Sequence, residues 1–253
     1  MHIDLSGRLA VVTGGSGQLG RVIVETLARC GADVALTYFT NSQAAREVVK
    51  RCEPTGRRVQ AFRADVTSVD SITFLNESIR NWHGPPDIIV NNAVIQYEWQ
   101  SLLEQSLEDF ESQFRSCVLH NVLMAKVFVP TMIERGWGRV IAINTECAMQ
   151  NLPTQSAYVA GKRGMDGALR VLAREVGPHQ VTVNQVAPGW TVGELARSEG
   201  TESQPAYESQ VPLRRRGTDQ DVANAVAFLA SDLAGFITGA YLPVCGGNVM
   251  PTI

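Results

Sequence analysis

The stretch LAVVTGGSGQLG, residues 9–20, decides the fold. Its first four residues form a continuous apolar run, as expected of a strand buried on both faces of a parallel sheet. Glycines that permit a tight turn follow, and then a helix-length segment. Such a turn lets the backbone approach a pyrophosphate, and the helix N-terminus offers free N–H groups to the anion. An ordinary glycine-rich turn is the alternative, but the strand-turn-helix order favours a phosphate loop.

Short apolar runs alternate with helix-length segments along the whole chain. This alternation predicts an α/β fold, a single doubly wound (Rossmann-type) parallel sheet of about seven strands with helices on both faces. Pro243 lacks an N–H donor, so the last strand is expected at a sheet edge. The predicted strands are 9–12, 34–36, 59–62, 88–90, 140–143, 181–186 and 241–244, and the predicted helices are roughly 18–30, 42–53, 68–82, 106–135, 156–177 and 219–231.

Length and composition favour one domain. The 253 residues are 45% hydrophobic and 19% charged, and the formal net charge is -3. We therefore expect a single domain over 1–253 and no nucleic-acid partner, since phosphate binding normally needs a basic face. The basic run at 214–216 is interpreted as solvated. The long connection 191–216 does not fit the alternation and is expected to be a substrate lid or binding loop.

The cysteines and the N-terminus indicate a compartment. There are five cysteines, an odd number, and no pair has C-x-x-C spacing. This argues against a disulfide framework and against a zinc site, so no metal is expected and a reducing compartment is favoured. The N-terminus lacks a signal-peptide pattern, and no apolar run was found that approaches the roughly 20 residues needed to span a bilayer. We expect a cytoplasmic protein with no membrane partner.

Tyr158 and Lys162 are the candidate acid-base pair. They lie four residues apart at the start of a predicted helix, so they share one face, and Met165 and Leu169 continue that face inward. A cation near 4 Å favours phenolate by about 4 kcal/mol at an effective dielectric of 20, before the opposing cost of desolvation. We therefore expect a tyrosine pKa lowered towards neutrality, where acid-base catalysis works best. Taken alone, such a pair is more often simply packed, and the phosphate loop is what favours catalysis.

Together these motifs resemble the short-chain dehydrogenase/reductase family, in its short single-domain branch, and are similar to its 3-oxoacyl-carrier-protein reductases. The resemblance covers nearly the whole chain. It implies an NAD(P)-dependent oxidoreductase that transfers hydride between nicotinamide and a small-molecule carbonyl or alcohol. The motifs are TGGSGQLG at 13–20, Asp65-Val66, Asn91-Asn92-Ala93, YVAGK at 158–162, Pro188-Gly189 and Gly246-Gly247.

The resemblance also implies residue roles. Tyr158 would be the acid or base, Lys162 would bind the nicotinamide ribose and tune the tyrosine, and Thr145 would polarise the carbonyl in place of the usual serine. By family position, the candidate substrate-pocket residues are Gln96, Glu146, Gln150, Trp190 and Tyr207. The residues expected to contact the cofactor are Gly14, Ser16, Gly17, Gln18, Leu19, Gly20, Tyr38, Phe39, Thr40, Asp65, Val66, Asn91, Ala93, Lys162, Pro188, Gly189 and Thr191.

Several positions depart from the family pattern. Cys117 stands where a helix asparagine usually holds a water leading to the lysine, and Asn121, one helical turn later, is a possible substitute. Val94 and Gln18 replace glycines, and Gly193 replaces a threonine that usually contacts the carboxamide. An active enzyme is favoured because the tyrosine, the lysine and a hydroxyl remain. The alternative is a catalytically weak nucleotide-binding relative that acts as a sensor or oligomer partner.

The end of the second predicted strand bears on the choice of cofactor. NAD binding in this fold commonly uses an acidic residue there to hold the ribose 2′-OH. The stretch Thr37 to Ser42 carries no carboxylate that would repel a 2′-phosphate, and Thr40, Asn41 and Ser42 can donate hydrogen bonds to one. We therefore expect NADP(H) in preference to NAD(H).

Three glycines bear on assembly. Gly161, Gly164 and Gly167 lie inside a predicted helix, where each costs up to about 1 kcal/mol relative to alanine. We interpret them as room for a second chain and expect a homodimer or homotetramer. Local accommodation of a neighbouring segment is the alternative.

Overall fold

The structure, a computed structural model, describes residues 2–251. One seven-stranded parallel sheet has the order β3-β2-β1-β4-β5-β6-β7, which confirms the predicted fold class. β7 lies at an edge, where the missing N–H of Pro243 interrupts no further pairing. The strands are β1 (Leu9–Val12), β2 (Asp33–Tyr38), β3 (Val59–Arg63), β4 (Ile88–Asn91), β5 (Gly138–Ile143), β6 (Val181–Pro188) and β7 (Tyr241–Val244).

The helices occupy the connections between strands. The predicted helix 106–135 is interrupted by a π-helical turn, Phe114–Leu119, which the sequence did not predict. Such turns are often found at functional sites. The helices are α1 (Gln18–Arg29), α2 (Ser42–Cys52), α3 (Val69–Trp82), α4 (Leu107–Gln113), α5 (His120–Arg135), α6 (Cys147–Gln150), α7 (Ser156–Val176), α8 (Glu194–Glu199), α9 (Pro205–Glu208) and α10 (Asp219–Ala230).

Both faces of the sheet are covered. Ala10 and Val12 of β1 point into a core shared with α1 and α10, whereas Val11 points into a core shared with α3, α5 and α7. This explains why β1 is apolar at every position and not only at alternate ones. The strand order reverses between β1 and β4, and ligands in such sheets bind beyond the carboxyl ends of the strands at this point.

One helical segment, Leu107–Arg135, is long and apolar enough by length and composition to cross a membrane, with a mean hydropathy of 1.5 in its most apolar stretch. The sequence prediction overlooked it because polar residues interrupt the run. Met124, Phe128 and Met132 of this segment are buried in the core beneath the sheet. Its apolar composition is therefore that expected of a core helix.

The basic run within the 191–216 segment is not simply solvated, which corrects the sequence interpretation. Arg216 is only 6% exposed. Its guanidinium donates hydrogen bonds of 3.0 to 3.1 Å to the carbonyl oxygens of Trp190, Thr191, Thr201 and Glu202. A buried guanidinium with several acceptors fixes the backbone around it, so Arg216 holds both ends of the segment together.

Candidate active site

The glycine-rich turn after β1 is tight and is held by the loop after β4. Gly14 has φ +61, and a Cβ there would lie 3.0 Å from Ala93 Cα. A Cβ at Gly20 would overlap the Gly14 carbonyl oxygen. The Asn92 Nδ2 donates to the carbonyl oxygens of Thr13 (3.0 Å) and Gly14 (3.2 Å). The turn thus depends on glycine at both positions.

Helix α1 begins at this turn with uncapped N–H groups. It starts at Gln18, and its N-cap, Gly17, makes no side-chain cap hydrogen bond. The half-buried Ser16 and Leu19 flank this end. Free N–H groups at a helix N-terminus fit the diphosphate of a dinucleotide, so the predicted phosphate-loop residues form a suitable cradle.

The β2–α2 connection carries a cation that the sequence analysis missed. Tyr38 is half-buried, and Phe39 and Thr40 are exposed at the carboxyl end of β2. Parallel pairing aligns Tyr38 with Arg63, and the Arg63 Nε donates to the Phe39 carbonyl oxygen at 3.2 Å. Only the strand register places Arg63 here, although its position directly after the predicted strand 59–62 was a usable signal.

Two further predicted cofactor residues have side chains held by neighbours. The Asp65 carboxylate accepts hydrogen bonds from the backbone N–H and the hydroxyl of Thr67, at 2.9 and 2.7 Å, and Val66 beside it is half-buried. The Asn91 side chain is buried, and its Nδ2 donates to Asn121 Oδ1 at 2.7 Å. Asp65 therefore shapes its own turn, and Asn91 is directed towards α5.

Tyr158, Lys162 and Thr145 are brought together where β5 ends and α7 begins. Lys162 Nζ lies 5.6 Å from the Tyr158 ring centroid and donates to the Ile143 carbonyl oxygen at 2.6 Å. Thr145 hydrogen-bonds Tyr158. The Tyr97 hydroxyl, which the sequence analysis also missed, accepts the Tyr158 backbone N–H at 2.8 Å and so fixes the first turn of α7. The three predicted catalytic residues thus share one site.

The expected lowering of the tyrosine pKa is wrong for this structure. Burial raises the pKa of Tyr158, and the hydrogen bond to Thr145 only partly opposes this rise. Burial also lowers the pKa of Lys162. The sequence estimate placed the ammonium directly beside the phenol, but the ammonium instead donates to the Ile143 carbonyl, and desolvation of the phenol dominates.

A cavity of about 690 Å³ opens beside Tyr158 and Thr145. Its wall includes Trp99 and Trp190, and Glu146 is its one charged side chain among the described residues. All five predicted pocket residues line it, which are Gln96, Glu146, Gln150, Trp190 and Tyr207, and so do Gly189 and Thr191.

Glu146 links three segments at this cavity. It is 3% exposed, and its Oε1 accepts the Tyr207 hydroxyl at 2.8 Å while its Oε2 accepts Asn248 Nδ2 at 3.1 Å. Burial raises the pKa of Glu146, and these hydrogen bonds oppose the rise. Gly189, which follows the buried Pro188, completes the wall, and a Cβ at Gly189 would lie 2.5 Å from the Tyr207 hydroxyl. The 191–216 segment is thereby tied to the residue next to Thr145.

Comparison with known proteins covers almost the entire chain. A family model described as enoyl-(acyl carrier protein) reductase matches residues 16–248. The chain is 34% identical over 249 residues to the 3-oxoacyl-[acyl-carrier-protein] reductase FabG of Pseudomonas aeruginosa, across 98% of this chain and 100% of that protein. It is 35% identical over 258 residues to the FabG of Escherichia coli, with the same coverage. This chain belongs to the short-chain dehydrogenase/reductase family.

Solved structures of this family agree with the architecture. A short-chain type dehydrogenase/reductase from Mycobacterium marinum has a TM-score of 0.88 at 29% identity, covering 98% of each chain. A blue fluorescent protein from a metagenomic library, in complex with NADPH, has a TM-score of 0.88 at 32% identity, covering 98% of this chain and 100% of that chain. The protein is an NAD(P)-dependent short-chain dehydrogenase/reductase, and the catalytically weak alternative is not favoured.

At the relay position of this short-chain dehydrogenase/reductase, the thiol of Cys117 is buried in the π-helical turn and faces Gln113 Oε1 at 3.9 Å. The Asn121 Nδ2 donates to the Cys117 carbonyl oxygen at 2.7 Å, and Asn121 Oδ1 accepts from Asn91. Both ends of the Asn121 carboxamide are thus engaged elsewhere than at Lys162. Asn121 is therefore a poor substitute for the missing asparagine.

His120 is a buried titratable residue that the sequence analysis did not select. It is 1% exposed, and its Nδ1 donates to the Ser116 carbonyl oxygen at 3.1 Å. Its Nε2 has no hydrogen-bond partner within residues 2–251. Burial lowers the pKa of His120 to about 4, and the positive charge of Lys162 adds to the effect. The ring is therefore neutral at physiological pH.

Two of the three helix glycines have a local cause. A Cβ at Gly161 would lie 2.9 Å from the Gln113 carbonyl oxygen, and one at Gly164 would lie 3.0 Å from Val118 Cγ2. A Cβ at Gly167 would meet nothing within 4 Å. Gly161 and Gly164 therefore accommodate α4 and the π-helical turn of the same chain, as the alternative interpretation held, and only Gly167 is left without a local neighbour.

Proposed function

We propose that this protein is an NADP(H)-dependent carbonyl reductase or alcohol dehydrogenase whose substrate is uncharged and carries an aromatic or apolar body. One observation carries the proposal: the hydroxyls of Thr145 and Tyr158 meet at an aromatic cavity of about 690 Å³. That volume suits a small-molecule ligand. Screening uncharged ketones and alcohols by the absorbance of NADPH tests it, and a broad panel without turnover would oppose it.

A nicotinamide cofactor, when bound, would supply the hydride. In the reduction direction, Thr145 donates a hydrogen bond to the substrate oxygen, and Tyr158 transfers its hydroxyl proton to that oxygen. The raised pKa of Tyr158 keeps it protonated and ready to donate. Lys162 holds the ribose side of the site and keeps a positive charge near the tyrosine once that proton has left. The remaining predicted cofactor residues, at the carboxyl ends of β1, β2 and β4, would hold the dinucleotide.

Arg63 supports NADP(H) as the preferred cofactor. Its guanidinium lies beside Phe39 at the end of β2, where no carboxylate opposes a 2′-phosphate. Hydrogen bonds to charged groups contribute about 1.5–3 kcal/mol, so Arg63→Ala should raise the Kd for NADPH at least about tenfold. The Kd for NADH should change little, and Arg57→Ala, an exposed arginine elsewhere, should change neither. Tighter binding of NADH than NADPH by the parent would overturn the preference.

The charge of Glu146 supports an uncharged substrate. No lysine or arginine lines the described cavity, so an anionic group would meet a carboxylate and no counterion. Two like charges about 6 Å apart at an effective dielectric of 20 repel by about 3 kcal/mol. A keto acid should therefore have a kcat/KM at pH 8 far below that of its methyl ester, and Glu146→Gln should narrow the gap at least about tenfold. An unchanged ratio would exclude Glu146 as the selecting residue.

Reduction of 3-oxoacyl thioesters is a second candidate. The full-length identity of 34–35% to 3-oxoacyl-[acyl-carrier-protein] reductases supports it. Acetoacetyl thioester should be assayed beside the uncharged ketones at equal concentration. A kcat/KM for the thioester above that of every ketone would favour this second function.

Homodimer or homotetramer assembly is part of the proposal. Leu107 of α4 is 81% exposed and Phe114 of the π-helical turn is 51% exposed, and Leu119 of the same turn and Val171 of α7 also expose apolar surface. Apolar side chains gathered on α4, the π-helical turn and α7 are suited to a symmetric interface. Light scattering at micromolar concentration should give a dimer or tetramer mass, and a monomer mass would refute this part.

The proposal also includes one domain over 1–253, in which the 191–216 segment is a substrate lid. It further includes a cytoplasmic location. The tie between Tyr207 and Glu146 supports the lid, and the five free cysteines fit a reducing compartment. Binding of NADPH and product should protect Arg214 and Arg215 from trypsin. Cell fractionation tests the location, and recovery in the membrane fraction would oppose it.

A further inference from the structure

Two of the departures from the family pattern meet in one contact. A Cβ at Gly193 would lie 2.6 Å from the Gln18 Oε1 and 3.5 Å from its Cδ. Gly193 has φ -107 and ψ -177, an extended conformation that any residue adopts. The glycine is therefore needed for space and not for backbone freedom. Any side chain at 193 would displace the Gln18 carboxamide.

The neighbouring residues hold this contact in place. Glu194 follows Gly193, and its carboxylate accepts from Arg21, one turn beyond Gln18 on α1, and from Arg51 at 3.1 Å. Gly193 itself is buried. The start of the 191–216 segment is thus fixed against the first turn of α1 and the last turn of α2.

The Gln18 carboxamide remains accessible to a ligand. Gln18 is exposed and is the first residue of α1, whose N-terminal turn has no side-chain cap. Its carboxamide lies against Gly193, two residues after Thr191, which lines the cavity. A carboxamide provides two N–H donors, and donors beside a helix N-terminus favour phosphate oxygens.

We propose that Gln18 is a cofactor-positioning residue whose side-chain Nε2 donates a hydrogen bond to the diphosphate of the bound dinucleotide, and that Gly193 is the space that permits this position. The inference rests on the proposed NADP(H) function. It couples Gln18 and Gly193, so that the effect of substituting either residue on cofactor affinity depends on the other.

The test is a double-mutant cycle on cofactor affinity, with Gln18→Ala, Gly193→Ala and the double variant. The Kd for NADPH is measured by nicotinamide fluorescence, and the Kd for 2′-phospho-ADP-ribose, which lacks nicotinamide, by calorimetry. Gly177→Ala, at a position where a Cβ would meet nothing within 4 Å, is the control. Gln18→Glu, with the same shape and a negative charge, provides a variant that does not rely on repacking.

We expect Gln18→Ala to raise both Kd values roughly tenfold. Gly193→Ala should have a similar effect, and the double variant should be no weaker than the weaker single variant. Gln18→Glu should be weaker still because its carboxylate faces a diphosphate. Gly177→Ala should match the parent.

Three results would overturn the inference alone in a parent that binds NADPH. The first is an unchanged affinity for NADPH in Gln18→Ala and Gln18→Glu. The second is a loss of affinity in each alanine variant that multiplies in the double variant. The third is a loss of affinity for NADPH but not for 2′-phospho-ADP-ribose, which would place the contact at the nicotinamide. A parent that binds neither NADPH nor NADH would overturn the proposed function and this inference with it.

Discussion

Gly161→Ala should destabilise the protein although alanine is the better helix former. The added Cβ would lie 2.9 Å from the Gln113 carbonyl oxygen and 3.2 Å from the Gln113 carbonyl carbon and Cβ. Ordinary contacts lie near 3.5 Å or beyond, so α7 must move by about half an ångström from α4. Overpacking of this kind costs about 1–3 kcal/mol, against a gain in helix propensity of up to about 1 kcal/mol. With the full helix-propensity gain subtracted, the net loss in the free energy of unfolding should be up to about 2 kcal/mol.

Gly167→Ala is the matched control, because Gly167 lies on the same helix and a Cβ there would meet nothing within 4 Å. It should gain up to about 1 kcal/mol. Urea unfolding of the parent and both variants, with equal m-values, measures the difference. Two protein concentrations should be compared, since a partner packed on Gly167 would make its effect depend on concentration. A Gly161→Ala protein as stable as the parent would refute the packing argument.

Three further predictions concern buried groups of the site. Burial lowers the pKa of His120 to about 4 from 6.5. Between pH 6.5 and pH 4 the unfolded chain therefore binds more protons at this residue than the folded chain does. The parent should consequently lose about 2 kcal/mol of stability from His120 between pH 7 and pH 5. His120→Gln should lose correspondingly less, and equal losses would contradict a buried neutral ring. Tyr97→Phe leaves the Tyr158 N–H without its acceptor, so kcat should fall and stability should drop by about 1–3 kcal/mol; unchanged values would show that the contact positions nothing. Cys117→Asn should raise turnover and reduce the solvent isotope effect, because a carboxamide holds a relay water better than a thiol; a folded variant with unchanged turnover would exclude proton supply as the limiting step.

The fold was predictable because its strands are buried on both faces. β1 and residues 88–90 of β4 are apolar throughout, since each of these side chains enters one of two cores. The edge position of β7 was predictable from Pro243 alone, because proline has no backbone N–H to donate to a neighbouring strand. The phosphate loop and the pair Tyr158 and Lys162 were predictable because each consists of residues adjacent in sequence or on one helix face.

The missed features depend on distant residues. Arg63 reaches Phe39 only through the register of β2 and β3. Gly161 was assigned to a second chain because the sequence does not reveal that Gln113 packs against it. The pKa of Tyr158 was misjudged because spacing on a helix gives proximity to Lys162 but not the extent of burial or the competing acceptor at Ile143.

The most direct test of the account is NADPH consumption by the parent and by Tyr158→Phe with the best uncharged ketone from the screen. The substitution removes only the phenolic oxygen, so the affinity for NADPH should be nearly unchanged. Turnover should fall at least about 100-fold, the lower end for loss of a positioned acid-base group. Turnover by Tyr158→Phe close to that of the parent would contradict the assignment of Tyr158 as the proton donor.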